Sequence, residues 1–369
     1  MKRIAVILMA LACSAHGAAA QTKPAAKPAA APAPAAANPG AAPEACIASI
    51  IAKRNAPPAP SAKPVPPTEA EKAFAAFEQG QYLTALTLAE GAAGRGDPQA
   101  HTLVGRIHEE GLGVPKDAIT AVRWYARAAE LCDVPGLFEY GVMLAQGRGT
   151  TKDMTAAAEM FEKAAISGHA LANYNLGLIF LKGDGKPENV YRAAQHIRYA
   201  AEKGVAAAQY DIAVMYQTGS GVTQDMVEAS NWYNRAAVAG FTAAQYDYAV
   251  ILLKGIGLER DKPKAIGYLK AAASQGLPGA QSRLANLYFE GAGVDKNLAE
   301  AAKWRALAKQ GGVADDALDA ELAKMPAADR KAAERAAADW LDARAIGVGD
   351  FPGGNAPPPA PPKPAARAK

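Results

Sequence analysis

Hydrophobic and polar positions in the middle of the chain follow one pattern that recurs every 36 residues, as the step from Gly111 to Gly147 shows. Each recurrence contains a Gly-x-Gly pair, and the six pairs begin at Gly111, Gly147, Gly183, Gly219, Gly255 and Gly291. Alanines keep the same step, at Ala121, Ala157, Ala193, Ala229, Ala265 and Ala301. Six units in one register, without insertions, are typical of a solenoid in which each unit packs on its neighbours.

Within each unit the apolar spacing predicts two helices joined by a turn. In the unit that begins at Ala207, the residues Ala208, Ile212 and Tyr216 share one helical face. Apolar residues four positions apart are the pattern of a helix with one buried side. We therefore predict that the first helix of this unit runs from about Ala207 to Thr218.

The next stretch, QTGSGVTQD, could be either a phosphate-binding loop or a plain turn. A nucleotide loop should occur once, after a strand, whereas this stretch has an equivalent in all six units, each between two predicted helices. We interpret Gly219 and Gly221 as residues that end one helix and turn the chain. Asp225 is predicted to cap the second helix, because its side chain can accept hydrogen bonds from free backbone N–H groups.

The repeated residues resemble the Sel1-like repeat, a relative of the tetratricopeptide repeat. The resemblance rests on a small-x₂-Tyr/Leu-x₂-Gly-x-Gly-Val run, followed by Asp-x₃-Ala-x₂-Trp-Tyr-x₂-Ala-Ala-x₂-Gly. Residues from Gly105 to Asp117, with the pair Trp124 and Tyr125, match it closely, and the six units cover residues 99–314. The resemblance implies an all-α fold, a right-handed α-solenoid (superhelix) of helix-turn-helix repeats.

Both ends of the repeat region are predicted to be caps. Residues 68–98 keep the alanine register but lack the long Gly-x-Gly loop, and they look like a shorter, tetratricopeptide-like capping repeat. Residues 315–345 predict two capping helices with a charged outer face, which suits the solvated end of a solenoid.

The N-terminal residues predict export from the cell. Lys2 and Arg3 precede an apolar stretch that is too short to span a bilayer, and small residues then lead to a cleavage site before Gln21. We predict a signal peptide at residues 1–20 and a periplasmic or secreted location in a bacterial envelope. The alternative is a lipoprotein anchored at Cys13, although the residues before that cysteine match a lipidation signal poorly. No later stretch is apolar for the roughly 18 residues that a transmembrane helix needs.

Two low-complexity regions flank the predicted folded part. Residues 21–67 form an Ala/Pro-rich linker with a short predicted helix at 44–54, and residues 346–369 form a Pro/Ala/Lys tail that we expect to be disordered. Both regions are interpreted as spacers; a polyproline ligand or a basic brush is the alternative.

The net charge and the cysteine content limit the possible partners and the possible covalent links within the chain. The formal net charge is +4, and near balance of charge argues against nucleic acid as a partner. Once the signal peptide is removed, Cys46 and Cys132 are the remaining cysteines. In an oxidising compartment they could form a disulfide, and as buried thiols they would simply pack in the core; the sequence leaves both open.

The sequence lacks several common motifs for catalysis and for binding metals. The chain contains no His-Glu-x-x-His, no Cys-x-x-Cys and no Gly-x-Ser-x-Gly, and its histidines lack ligand spacing. Some exported Sel1-like proteins have been linked with β-lactams, but no serine here stands three residues before a lysine. We expect a protein without cofactor or enzymatic activity; an unrecognised hydrolase is the weakest alternative.

The resemblance implies that one face of each unit's first helix lines a concave, partner-binding surface. The inward positions that we select are Phe138, Tyr174, Tyr210, Tyr246, Leu178, Val214, Val250, Lys182 and Lys254. The tyrosines could instead be core residues, and the two lysines could simply be solvated. The expected function is a periplasmic scaffold that binds an extended peptide or envelope protein. The alternative is binding of peptidoglycan, its fragments or a β-lactam.

Overall fold

The computed structural model describes Cys46, Ala48, Ile51, Ala52 and residues 67–345. The predicted signal peptide at 1–20, the linker at 21–67 apart from those few residues, and the tail at 346–369 lie outside the described residues. Cys46, Ala48, Ile51 and Ala52 are helical, and the described part of the chain contains no strand. The predicted all-α class is therefore confirmed.

Sixteen helices with defined bounds are found between residues 67 and 345. They are α1 (Glu69–Glu78), α2 (Tyr82–Gly94), α3 (Pro98–Glu110), α4 (Ala118–Glu130), α5 (Val134–Gln146), α6 (Met154–Ile166), α7 (Ala170–Lys182), α8 (Val190–Glu202), α9 (Ala206–Thr218), α10 (Met226–Val238), α11 (Thr242–Lys254), α12 (Lys262–Ser274), α13 (Pro278–Glu290), α14 (Leu298–Gln310), α15 (Asp316–Leu322) and α16 (Ala327–Ala345). The helices pair in tandem, which is the α-solenoid architecture that the repeat pattern predicts; the pairs are α3 with α4, α5 with α6, α9 with α10, α11 with α12, and α13 with α14.

The helices fall into two compact units, which we call the N-terminal unit (up to Ala200) and the C-terminal unit (from Ala201). In the N-terminal unit the helices α1 to α7 pack consecutively, so that the last of these contacts is between α6 and α7. Helix α3 also contacts α5. In the C-terminal unit the helices α9 to α14 pack consecutively, and α16 packs on α14.

The turn between α9 and α10 shows why the helices begin and end where they do. Gly219 ends α9 in the left-handed conformation, with φ of 76°, and Gly221 follows with φ of 71°. Glycine adopts such angles without steric cost, whereas other residues do not. The Asp225 Oδ1 then accepts hydrogen bonds from the backbone N–H groups of Val227 (2.9 Å) and Glu228 (3.0 Å) at the start of α10.

The core depends on a close approach between the two helices of a unit. A Cβ atom on Gly105 of α3 would lie 2.7 Å from the Tyr125 ring of α4, and one on Gly141 of α5 would lie 2.8 Å from the Phe161 ring of α6. Both rings are almost fully buried. The small-residue column of the sequence therefore makes room for a ring from the partner helix.

Cys46 and Cys132 form a disulfide, with their Cα atoms 5.4 Å apart. Cys132 has φ of 60° and is the one non-glycine residue with a positive φ between residues 67 and 345. The equivalent position in the later units is a glycine with positive φ in every case: Gly168, Gly204, Gly240, Gly276 and Gly312. Cys132 thus occupies a position that suits glycine, and Cys46 is buried beside it in the core of the N-terminal unit.

The glycine turns lead to a first prediction. A methyl group on Gly149 would overlap the backbone carbonyl of Ala118 at the start of α4, whereas one on Gly96 would meet no atom within 4 Å. Both glycines have positive φ. We expect Gly149→Ala to lower the free energy of unfolding by about 3 kcal/mol and Gly96→Ala by about 1 kcal/mol. Urea unfolding followed by circular dichroism measures both, and equal losses would contradict the predicted clash.

The disulfide leads to a second prediction. It joins residues 86 positions apart, so its reduction should increase the entropy of the unfolded chain and lower stability by about 2–4 kcal/mol. Thermal unfolding with and without dithiothreitol measures the effect. The variant Cys46→Ser is the control, because reductant should not change its midpoint. A loss of the same size in this variant would show that the reductant acts elsewhere.

Candidate functional site

The N-terminal unit contains a cavity of ≈990 Å³, which we call the N-terminal groove. Helices α1, α3 and α5 supply most of its lining: Phe74, Phe77, Glu78, Gln99, Thr102, Leu103, Arg106, Glu109, Glu110, Pro135, Phe138 and Glu139. Lys116, Tyr125, Asp133, Arg148 and Leu171 complete it. Phe74, Gln99 and Arg106 are exposed, so the cavity is open to solvent. Phe138 is one of the inward residues selected from the sequence. Thr102, Arg106 and Glu110 occupy the positions of the first unit that are equivalent to Phe138, Leu178 and Lys182.

Part of the lining of the N-terminal groove is apolar. We call its larger apolar side chains, Phe74, Phe77, Phe138 and Leu171, the apolar wall. Phe74 is 37% exposed, which makes it a large hydrophobic side chain in contact with water. The Arg106 guanidinium lies 5.0 Å from the centre of the Phe77 ring, a cation–π arrangement.

Charged side chains on α3 and in the loop after α5 are mostly paired. Glu109 accepts a hydrogen bond from the Tyr125 hydroxyl (2.7 Å) and forms a salt bridge with Arg148 (2.7 Å). Arg106 pairs with Glu110 at 2.8 Å, one helical turn away. These contacts use the carboxylates of Glu109 and Glu110 and both arginines.

Asp133 is committed to structure. Its Oδ2 accepts hydrogen bonds from the backbone N–H of Gly136 (2.9 Å) at the start of α5 and from the Thr102 hydroxyl (2.7 Å). This carboxylate therefore caps α5 and joins it to α3.

Glu139 is different, because it has no hydrogen bond or salt bridge within residues 67–345. Burial, and to a lesser extent the negative charge of Glu109, raise its pKa from an ordinary value of 4.5 to about 7. Arg106 and Arg148 act in the opposite direction and offset part of the increase. The groove therefore contains a carboxyl group whose charge changes near neutral pH.

The register of the repeats explains why Glu139 is unpaired. In the C-terminal unit, the Tyr210 hydroxyl of α9 donates a 2.9 Å hydrogen bond to Asp247 of α11, 37 residues later. Glu139 and Thr102 hold the corresponding positions in α5 and α3. Thr102 is shorter than tyrosine and its hydroxyl is bound to Asp133, so Glu139 receives no such donor.

Three of the residues that the sequence placed on a binding strip are buried. Phe138 is 5% exposed, and Tyr174 and Leu178 are each 3% exposed. The Phe138 ring packs against His169 at 4.6 Å and Phe161 at 5.9 Å between ring centres. Helix α7, which carries the other two, is buried over nine consecutive residues from Ala172 to Phe180. The inward positions of such a helix hold core residues. This differs from the expectation that these residues line an accessible surface.

The other selected residues are at least partly exposed. Tyr210, Val214, Tyr246 and Val250 are half-buried, and Lys182 and Lys254 are exposed at the ends of α7 and α11. Tyr210 is held by its hydrogen bond to Asp247 and by ring contacts with Tyr233 (5.6 Å) and Phe241 (5.2 Å). Burial and the charge of Asp247 raise the pKa of the Tyr210 hydroxyl. The main contact of the Tyr210 side chain is therefore structural, because it links α9 to α11.

A second cavity, of ≈520 Å³, lies in the C-terminal unit. Helices α11 and α13 supply most of its lining, with Tyr246, Leu253, Ser282, Arg283, Asn286 and Glu290 among the lining residues. Tyr246 is the sequence-predicted residue that lines it. We call this cavity the C-terminal groove.

Sequence reasoning did not select Glu139, Arg148, Phe74 or Phe77. Phe74 and Phe77 lie on α1, which precedes the six repeat units. Glu139 belongs to a column that is polar in five of the six units, namely Glu139, Asn175, Asp211, Asp247 and Arg283, with Leu103 in the first. The polar residues in this column were the feature of the sequence from which Glu139 could have been identified.

The described residues hold no cluster of metal-ligating side chains. Among the helices described, none is both long and apolar enough to cross a bilayer.

Comparison with known proteins places these features in context. The family model described as Sel1 repeat matches six consecutive segments, residues 98–131, 134–169, 170–205, 206–241, 242–277 and 278–312. Comparison with curated proteins gave no match.

Solved structures that are similar to this chain include the following two. One is c5321, described as a protective antigen present in uropathogenic Escherichia coli strains that displays an SLR fold; it shares 30% identity with a TM-score of 0.63. The match covers 76% of this chain and 61% of that protein, so this chain spans about three fifths of its length. The other is a Sel1 repeat protein from Oxalobacter formigenes, with 30% identity and a TM-score of 0.59, over 68% of this chain and 100% of that one.

The raised pKa of Glu139 leads to a third prediction. The folded protein holds a proton on this group more tightly than the unfolded chain does, so the associated stability is present below pH 4.5 and is lost as the pH rises through 7. The free energy of unfolding of Glu139→Gln minus that of the native protein should be larger at pH 8 than at pH 4.5, by roughly 1–2 kcal/mol.

Urea unfolding at the two pH values measures this difference. The control variant is Glu159→Gln, which changes an exposed carboxylate on α6 outside the groove. The same pH effect in both variants would show that Glu139 is not its source.

Proposed function

The chain belongs to the Sel1 repeat family, and from this we propose that it is a non-enzymatic scaffold that binds an extended segment of another protein. Sel1 repeat proteins generally mediate protein–protein interactions, and the family is generally non-catalytic. The proposal names the surface and the kind of ligand for this particular chain.

The observation that carries the proposal is the N-terminal groove. It combines an apolar wall, which includes the exposed Phe74, with charged groups on α3 and α5. Recognition sites for peptides commonly pair an apolar anchor pocket with a few placed polar groups. An extended segment meets both kinds of contact, because successive side chains of a strand point to opposite sides.

The C-terminal groove supports the same interpretation with different chemistry. Tyr246 contributes a flat ring with a polar end, while the exposed Arg283 contributes hydrogen-bond donors. Such groups suit the carbonyl oxygens of a peptide main chain. Each groove is therefore proposed as a separate peptide-contact site.

We further propose that the protein acts outside the cytoplasm. The predicted signal peptide at residues 1–20 motivates this proposal. The Cys46–Cys132 disulfide supports it, because disulfides persist in oxidising compartments and are rare in the cytosol.

Site-specific photocrosslinking tests the proposed binding surface. A photoreactive residue would be placed at Gln99 or Phe74, both exposed in the N-terminal groove. Control probes would stand at Arg123 and Glu159, which are exposed on α4 and α6 outside the groove.

We expect the groove probes to crosslink a protein partner in intact cells and the control probes to give no adduct. Mass spectrometry should map the adducts to one short segment of that partner. Adducts of equal yield at all four positions, or adducts at the control positions alone, would contradict the proposed surface.

A further inference from the structure

The N-terminal groove contains a partly buried carboxylate, that of Glu139, which the fold does not pair, and the following inference rests on the proposed function. We propose that the groove binds a cationic side chain, lysine or arginine, of the bound peptide. The charged end of this side chain meets the Glu139 carboxylate, and its aliphatic stem lies against apolar side chains of the groove lining.

The charge of the groove favours a cation. Carboxylates outnumber cationic groups in the lining, with Glu78, Glu109, Glu110, Asp133 and Glu139 against Arg106, Lys116 and Arg148. Both arginines already pair with carboxylates of α3, and Asp133 caps α5. Glu139 is the carboxylate of α5 that remains open to a ligand.

The repeat architecture shows which contact Glu139 lacks. At the equivalent position of the C-terminal unit, Asp247 accepts a hydrogen bond from Tyr210. Thr102 stands where that tyrosine would be, and it donates to Asp133 instead. Glu139 therefore lacks such a donor among the described residues, and a peptide in the groove can supply one.

The apolar wall selects the shape of that donor. Lysine and arginine bury their aliphatic stems against apolar surface while the charged end stays with a polar partner. The wall already holds one guanidinium, since Arg106 lies 5.0 Å from the centre of the Phe77 ring. An apolar or acidic side chain in the same place would leave the Glu139 carboxylate buried without a partner, which is unfavourable.

The inference includes a pH dependence. The pKa of Glu139 is raised to about 7, so the carboxylate is mostly charged at pH 8 and mostly neutral at pH 6. The charged groups that act on it are Arg106, Glu109 and Glu110 of α3 and Arg148 of the loop after α5.

From α4, the Tyr125 hydroxyl reaches Glu109 rather than Glu139, and α6 contributes no side chain to the lining. A cation prefers the ionised form, so its binding should strengthen as the pH rises from 6 to 8.

Peptide capture tests the inference. The purified, disulfide-bonded protein would be immobilised and offered pools of acetylated, amidated nonapeptides. The central residue of each pool is lysine, arginine, norleucine or glutamate, and the flanking positions are mixtures of uncharged residues. Retained peptides are quantified by mass spectrometry for the native protein, for Glu139→Gln and for the exposed control Glu159→Gln.

At pH 8 we expect the native protein to retain the lysine and arginine pools about tenfold more than the norleucine pool, as one charge-assisted hydrogen bond would give. Glu139→Gln should bring this ratio to about one, and Glu159→Gln should leave it unchanged. Lowering the pH to 6 should reduce the native ratio towards that of Glu139→Gln.

A lysine preference that survives in Glu139→Gln, or equal retention of the norleucine pool by the native protein, would overturn the inference. Equal retention of all pools together with crosslinking at Gln99 leaves the proposed function standing. If no pool is retained and no crosslink forms at Gln99, both the proposed function and this inference are wrong. Circular dichroism confirms that each variant is folded before capture.

Discussion

The short distance between the two helices of a unit is the constraint on which the remaining structure depends. Gly105 admits the Tyr125 ring and Gly141 admits the Phe161 ring, because neither position has room for a methyl group. Helices that approach so closely have little freedom to slide or rotate. The same contact also serves the groove, because the Tyr125 ring that packs on Gly105 carries the hydroxyl that holds Glu109. Tyr125 therefore takes part both in the packing of the core and in the position of the Glu109 carboxylate in the groove.

Most of the fold could be predicted from the sequence, because its determinants are local and repeated. The residues Gly219 and Gly221 adopt the left-handed conformation that a turn between helices needs, and Asp225 caps the helix that follows. These interactions involve residues close together in the chain, so spacing alone identifies them. Repetition over six units then separates a structural turn from a binding loop.

The candidate site could be predicted only in part, because it depends on contacts between units. The position of Phe138 on its helix is the same whether the ring is exposed or buried, and the neighbouring His169 and Phe161 decide the outcome. Glu139 is unpaired because of the residue at position 102, which is far away in sequence. Phe74 and Phe77 lie on α1, before the six repeat units, so comparison between the units does not identify them.

The hydrogen bond from Tyr210 to Asp247 has a consequence for how such proteins diversify. Its donor and its acceptor belong to successive units, so the pair exists only where a tyrosine-bearing unit precedes an acid-bearing one. Repeat proteins change length by gaining or losing whole units, and each such event creates a new junction. Recombination that placed another unit before α5 could therefore supply Glu139 with a donor, or expose a different acid, without any point mutation. Binding chemistry of this kind is inherited with the order of the units rather than with any single unit.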